Sequence, residues 1–182
     1  MSTIVLTLVL ACTIGLLLAA LATPRKVEYV ETITIAAPPV AVYDAIRYQR
    51  DLMQWSAWPS ETNSSCTIAG PDGALGARTL FLDRKGREFG HQEVVALEPH
   101  REVALTLTSK GPPQHPLLRF LLVPMSEGET HVLLHFTNRI APPVHLLLRI
   151  AGVVAWTRAM HGKDLAGLKR WCENGVPYAA AA

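Results

Sequence analysis

Two side chains in the last third of this 182-residue chain are of types that do chemistry, and they are spaced to do it together. Arg158 and His161 interrupt an otherwise apolar series at helical spacing: Leu147, Ile150, Ala151, Val154, Leu165 and Leu168. Residues three apart on a helix are neighbours, so guanidinium and imidazole can meet one ligand group. In a cavity they would hold a carboxylate or phosphate, or polarise a carbonyl with His161 as acid or base. The structural alternative is a slight rotation of the helix that puts Arg158 at a pocket mouth, paired with a loop carboxylate such as Asp83 or Glu88. In either case a buried charge needs a partner.

The other candidates are weaker. His91 and Glu93 share one face of a predicted strand with Phe89, Val95 and Leu97. If that face is concave they form an acid/base pair inside a hollow; if convex they are ordinary exposed residues. Val94 and Ala96 make the opposite face apolar too, so alternation leaves both options open. His131 and His135 lie on one face of another strand, but four residues there span about 13 Å, too far to chelate one ion. Their face, with Arg139, is expected to meet solvent, while Val132, Leu134 and Phe136 point inward. No metal site and no cofactor are expected. Trp55 and Trp58 either plug one end of a cavity as packing or stack on a ligand. Phe120, Leu134 and Phe136 are expected to supply apolar lining from the strands, and Val154 from the helix. No Ser-His-Asp order, Gly-rich phosphate loop or paired-carboxylate motif occurs.

The elements that position these residues follow from periodicity. Val27 to Ile35 alternates as a strand, with Glu31 breaking its apolar face. Ala36-Ala37-Pro38-Pro39 stops it, and two short helical pieces run on to about Met53. The period then becomes two, with apolar runs near 66–69, 76–82, 88–98, 102–108, 117–123 and 130–140. Turns rich in Gly, Pro and Asp separate them, the pattern of an antiparallel meander. Pro142-Pro143 opens one long helix to about Glu173, closed by Asn174-Gly175. A strand parted from its meander by helices must return to a sheet edge. The long helix then buries its stripe in the concave face, an arrangement that leaves an internal apolar cavity.

From Ile4 to Ala22 the chain is uncharged, and Arg25 and Lys26 follow at once. A helix of that length spans about 28 Å, close to the ~30 Å hydrocarbon core of a bilayer. The segment therefore reads as a transmembrane anchor, with the domain on the cytoplasmic side by the positive-inside bias. The alternative is a signal peptide cleaved after Ala20-Leu21-Ala22, with the domain exported, although its n-region has no basic residue. The expected organisation is 1–26 anchor and joint, 27–175 one domain, and 176–182 a disordered tail. A net charge of +2 with scattered basic residues excludes a nucleic-acid footprint. Cys12 lies in the anchor; Cys66 and Cys172 can pair but imply no disulfide framework, and alone they cannot build a zinc site.

Between residues 27 and 173 the order and spacing of turn and packing signatures resemble the START-like superfamily, also called SRPBCC or polyketide cyclase/dehydrase-like. The match includes Ala37-Pro38-Pro39 with Val42, Trp55-x-x-Trp58-Pro59, Gly70-Pro71 and Gly73 through Gly76, and the Gly90 strand ending at Glu98-Pro99. It continues with Leu122-Val123-Pro124, Gly128-x-Thr130 and Leu165-x-x-Leu168-Lys169. The resemblance implies an α+β helix-grip fold, a curved antiparallel sheet of about seven strands around a long C-terminal helix, and the binding of hydrophobic ligands. It implies no single reaction. Three functions remain open. One is a membrane-anchored binder of a small hydrophobic or amphipathic molecule, lipid- or polyketide-like. Another is a cyclase/dehydratase- or hydrolase-type enzyme using His161, Arg158 and His91 on a ligand carbonyl. The third is a partner-binding module with a collapsed cavity. A ligand cavity should reach about 300 Å³, which separates the first from the third.

Overall fold

Thirteen elements are found among the described residues. The structure, a computed structural model, describes residues 3–110, 114, 116–175 and 177. The apolar N-terminal segment is a single helix, α1 (Thr3–Ala22), with no buried residue. The strand β1 (Lys26–Ile35) leads into three short helices, α2 (Pro39–Arg47), α3 (Gln49–Trp55) and α4 (Trp58–Glu61). The meander follows as β2 (Ser65–Ala69), β3 (Arg78–Leu82), β4 (Glu88–Glu98), β5 (Glu102–Ser109), β6 (Leu117–Ser126) and β7 (Glu129–Arg139). Two helices, α5 (Val144–Ile150) and α6 (Val153–Asn174), close the chain. Residues 176 and 178–182, nearly all of the expected tail, lie outside the described residues.

The seven strands form one antiparallel sheet in the order β1-β7-β6-β5-β4-β3-β2. The isolated first strand returns to the edge of its meander, Val27 opposite Asn138 and Ile35 opposite Thr130. Strand β7 alternates strictly, with Thr130, Val132, Leu134, Phe136 and Asn138 buried. His131 and His135 lie on the other face and bond separately, to Thr34 and to Glu28.

Two bulges in β4 curve the sheet and explain why alternation there is ambiguous. Phe81 pairs Gly90 and Leu82 pairs Glu88, so Phe89 is an extra residue; Val95 is likewise skipped between Val94 and Ala96. A bulge bends the strand and changes which side chains face inward. Gly90, Gln92 and Val94 are buried before the second bulge, and Leu97 packs on the core after it. Gly90 also permits close strand approach, since a Cβ there would lie 2.6 Å from the Thr108 carbonyl oxygen.

The expected single helix after Pro143 is in fact two. Gly152, at φ 72°, adopts the left-handed conformation and breaks the helix between α5 and α6. The apolar stripe loses its phase at that break. Leu147 and Ile150 are exposed rather than inward, while His161, Leu165 and Leu168 remain buried. Gly175 closes α6, its N–H donating to the Trp171 carbonyl at 2.9 Å. The second half of α6 is clamped to the end of β1 by Lys169 Nζ on the Thr34 carbonyl and by the Ala36 N–H on Glu173.

Candidate functional site

The sheet and α6 do not fill the space between them evenly. Toward the C-terminal half of α6, Leu165 and Leu168 pack in one core with Ile35, Val42, Ile46, Phe120 and Leu134. Toward its N-terminal half lies a cavity of about 460 Å³. Its sheet side is made by the starts of β1 and β4 and the ends of β3, β5 and β7, which register places at one end of the sheet. That is the end where the chain emerges from α1. Small or polar residues stand there, among them Gly90, Ser109, Gln92 and Asn138, so the wall recedes. Val154, Thr157 and His161 face it from α6, Leu148 from α5 and Trp58 from α4.

The described residues lining this cavity include no Asp, Glu, Lys or Arg. Its one buried titratable group is His161, whose pKa is pushed down to about 4 by desolvation, so the imidazole is neutral at pH 7. Nδ1 of His161 is 2.9 Å from the Tyr29 hydroxyl. Burial raises the Tyr29 pKa, so the phenol keeps its proton. With that phenol donating to Nδ1, the ring proton sits on Nε2, which has no hydrogen-bond partner among the described residues. The imidazole packs 5.0 Å from the Phe136 ring and 6.0 Å from Trp58, centroid to centroid. Asn138 adds an amide whose nitrogen donates to Gln114 Oε1 at 3.0 Å and whose buried oxygen is unpaired among the described residues. Gln92 donates to the buried Gln49 Oε1, which also accepts from Thr79. Such a lining suits an apolar body with neutral polar groups.

The model of the family described as polyketide cyclase/dehydrase and lipid transport matches residues 26–173. The chain belongs to this family. Solved structures share its fold. A protein from Chromobacterium violaceum is 19 % identical with a TM-score of 0.57, over 83 % of this chain and 99 % of that one. The Aha1 protein from Colwellia psychrerythraea, solved as a dimer, is 20 % identical at TM-score 0.58, over 82 % and 98 %. Norcoclaurine synthase from Thalictrum flavum, solved with dopamine and hydroxybenzaldehyde, is 12 % identical at TM-score 0.55, over 76 % and 84 %. At these identities the likeness establishes the fold alone. No curated protein matches.

Of the residues expected at the site, Trp58, His91, Phe136, Val154 and His161 line this family member's cavity. Trp55, Phe120 and Leu134 do not: they are buried in the filled core, where Trp55 Nε1 donates to the Ala45 carbonyl at 2.8 Å and its ring meets Phe120 edge-on. His91 belongs to the cavity rim, but strand alternation sets its side chain opposite Gly90 and Gln92, and Nδ1 is 3.1 Å from Glu88. It does not pair with Glu93, which accepts from Arg78 at 2.7 Å.

Arg158 is the largest departure. It is exposed, outside the cavity lining, ion-paired with Glu31 and 5.5 Å from the centre of the Tyr29 ring. Its partner is the strand residue that broke the apolar face of β1, not Asp83 or Glu88; those two bond to Arg87 and His91. Helix rotation accounts for this: three residues advance about 300°, and the 60° shortfall carries Arg158 to the sheet edge while His161 points in.

Sequence reasoning missed Asp164. It is buried one turn after His161 and accepts from Ser56 Oγ at 3.1 Å, the Ala57 N–H at 2.8 Å and Trp58 Nε1 at 2.9 Å. The carboxylate thus fixes the α3–α4 joint and with it the indole that closes the cavity. Burial pushes its pKa up to about 7 despite these donors. The signal was available, because Asp164 stands three residues after His161 and next to Leu165 on the inward face.

Proposed function

We propose that the protein is a membrane-anchored binder of one small, uncharged, hydrophobic or amphipathic molecule, held beneath the first half of α6. The observation that carries this reading is a cavity of about 460 Å³ with no charged side chain among its described lining. The volume is that of a ligand site rather than of a packing defect. A ligand carboxylate placed there would be desolvated without a counter-charge, at a cost of several kcal/mol. Arg158, the expected reader of an acidic head group, is instead engaged with Glu31 outside the lining. Neutral hydroxyl, ether or carbonyl groups find partners in His161, Gln92 and Asn138.

The anchor in this reading is α1. Its 20 residues, none of them buried, rise about 30 Å, a bilayer's hydrocarbon thickness. Arg25 and Lys26 favour a cytoplasmic domain. The test is native mass spectrometry of the full chain released from membranes in mild detergent. We expect an adduct of a neutral lipid-like molecule, weakened in Val154→Phe, whose ring takes up part of the cavity. A chain that carries no adduct and binds neither neutral nor acidic amphiphiles overturns the reading. A mature N-terminus at Thr23 would overturn the anchor.

The Tyr29–His161 hydrogen bond favours a second reading, acid–base chemistry on a bound carbonyl compound. In the other tautomer, with the ring proton on Nδ1 and donated to the Tyr29 oxygen, the bare Nε2 can take a proton from carbon next to a carbonyl and return it. Deuterium incorporation at that carbon of a bound neutral ketone, abolished in His161→Gln with binding retained, is the expected outcome of that reading. Incorporation at equal rates in both proteins would exclude it.

A further inference from the structure

The cavity lies beside a place where α1 touches the domain. His145, buried in α5, donates from Nε2 to the Ala20 carbonyl at 2.9 Å, one of the last carbonyls of α1. Arg149, one turn further, donates to the carbonyls of Pro24 and Lys26 at 3.4 Å. These contacts hold α5 at the level where α1 ends.

The two faces of this segment differ in what they meet. Leu148, Val153 and Val154 line the cavity from within. On the outside, Leu147 is 60 % exposed and Ile150 72 %, while Trp156, 47 % exposed, stands at the cavity rim with its ring edge-on to Trp58 at 5.2 Å. Leu147 and Ile150 are one turn apart on one helix face. Ile150 is five residues beyond His145, within about 8 Å along the helix of the contact with α1. Arg25, Arg139 and Arg149 are exposed around the same junction. An apolar surface with an aromatic residue and a basic rim is the composition of an interfacial membrane contact.

We infer that the outer face of α5, with Trp156, rests on the bilayer that holds α1, and that the cavity is loaded from the lipid phase through the α5–Gly152 segment. The inference rests on the proposed anchor and ligand. It names the occupant of the apolar face, because α1 fixes that face within one short helix of the membrane. It also names the source of the ligand, because this segment carries cavity-lining residues on one side and exposed apolar residues on the other, and is broken at a glycine in the left-handed conformation.

The test uses the full chain in phosphatidylcholine–phosphatidylglycerol vesicles, with and without brominated phosphatidylcholine. The difference in fluorescence between wild type and Trp156→Phe isolates that indole, and bromine should quench it. In the same vesicles a pyrene-labelled long-chain alcohol is the probe. Leu147→Glu/Ile150→Glu, both at exposed positions, should slow its uptake by about tenfold and leave equilibrium occupancy unchanged. An unquenched Trp156 overturns the inference. An unquenched Trp156 in a wild-type dimer that the double variant dissociates would assign the face to a second copy instead. Quenching with equal uptake rates overturns the loading route. A wild type that takes up no probe while Trp156 is quenched would keep the bilayer contact and remove the ligand reading, so the two failures are distinguishable.

Discussion

The two halves of α6 lie on one curved sheet, yet one is packed solid and the other roofs a hollow. Under the second half, Leu165 and Leu168 meet Ile35, Val42, Phe120 and Leu134, all essentially without exposure. Under the first half, Val154, Thr157 and His161 face Gly90, Gln92, Ser109 and Asn138. The helix presents side chains of ordinary size in both halves. What differs is the sheet, which is large and apolar at the filled end and has Gly90, Gln92, Ser109 and Asn138 set among its apolar residues at the other. The cavity is therefore placed by the strands, and variants of the two halves should respond differently.

The largest expected effect is in the filled half. Leu168→Ala should cost about 2–5 kcal/mol, because the surrounding core cannot collapse onto the space left behind. Urea denaturation followed by far-ultraviolet circular dichroism measures it. A loss below about 0.5 kcal/mol would show that this half is as loose as the other.

Added bulk sharpens the contrast. Leu165→Phe should cost about 1–3 kcal/mol, as overpacking does in a filled core, whereas Val154→Phe should cost less than about 1 kcal/mol and weaken binding of neutral amphiphiles. Equal destabilisation at both positions would mean that the hollow is no roomier than the core.

The boundary between the halves should make stability depend on pH. Asp164 has a folded pKa of about 7, above its ordinary 3.8, so folding favours its protonated form. Its contribution is fully present below pH 3.8 and is lost as pH rises through 7. His161 runs the other way: its folded pKa of about 4 lies below the ordinary 6.5, so its contribution is present above 6.5 and lost as pH falls through 4. The two oppose one another between about pH 4 and 6.5, and only the Asp164 decline continues to 7. Asp164→Asn should remove that decline between pH 6.5 and 7.5 in thermal melts across pH. An unchanged slope in the variant would sink the assignment.

The smallest effect is expected at Arg158. Arg158→Ala removes an exposed ion pair and should leave both denaturation midpoint and ligand affinity where they were. Selective loss of acidic-ligand affinity would return Arg158 to the site.

Period and punctuation carried the strands well. The β7 face holding Leu134 and Phe136 could be read from alternation alone, because an uninterrupted strand fixes which side chains share a face. The β4 face could not, since the bulges at Phe89 and Val95 arise from pairing with β3 and β5 and leave no mark in β4's own residues. The helix at 143–173 was read as continuous because Gly152 is tolerated inside a helix. Only the docking of α5 against α1, on one side of the glycine, and of α6 against β1, on the other, shows that it serves as a break.

Within the site the division is the same. Local spacing brought Val154 and His161 to one helix face, and composition alone excluded a metal cluster built from the domain's cysteines. Spacing could not say that Arg158 would find Glu31, a residue 127 positions earlier, because that pair exists only once β1 lies along α6. Nor could it rank Phe120 against Phe136, both inward on neighbouring strands, of which one fills the core and the other lines the cavity. The sequence by itself determined the family, the strand order's antiparallel logic and the apolar N-terminal helix, since these rest on interactions between residues near in the chain. The position of the hollow and the neutrality of its lining were decided only by tertiary structure. They depend on which ends of five strands the sheet register brings together.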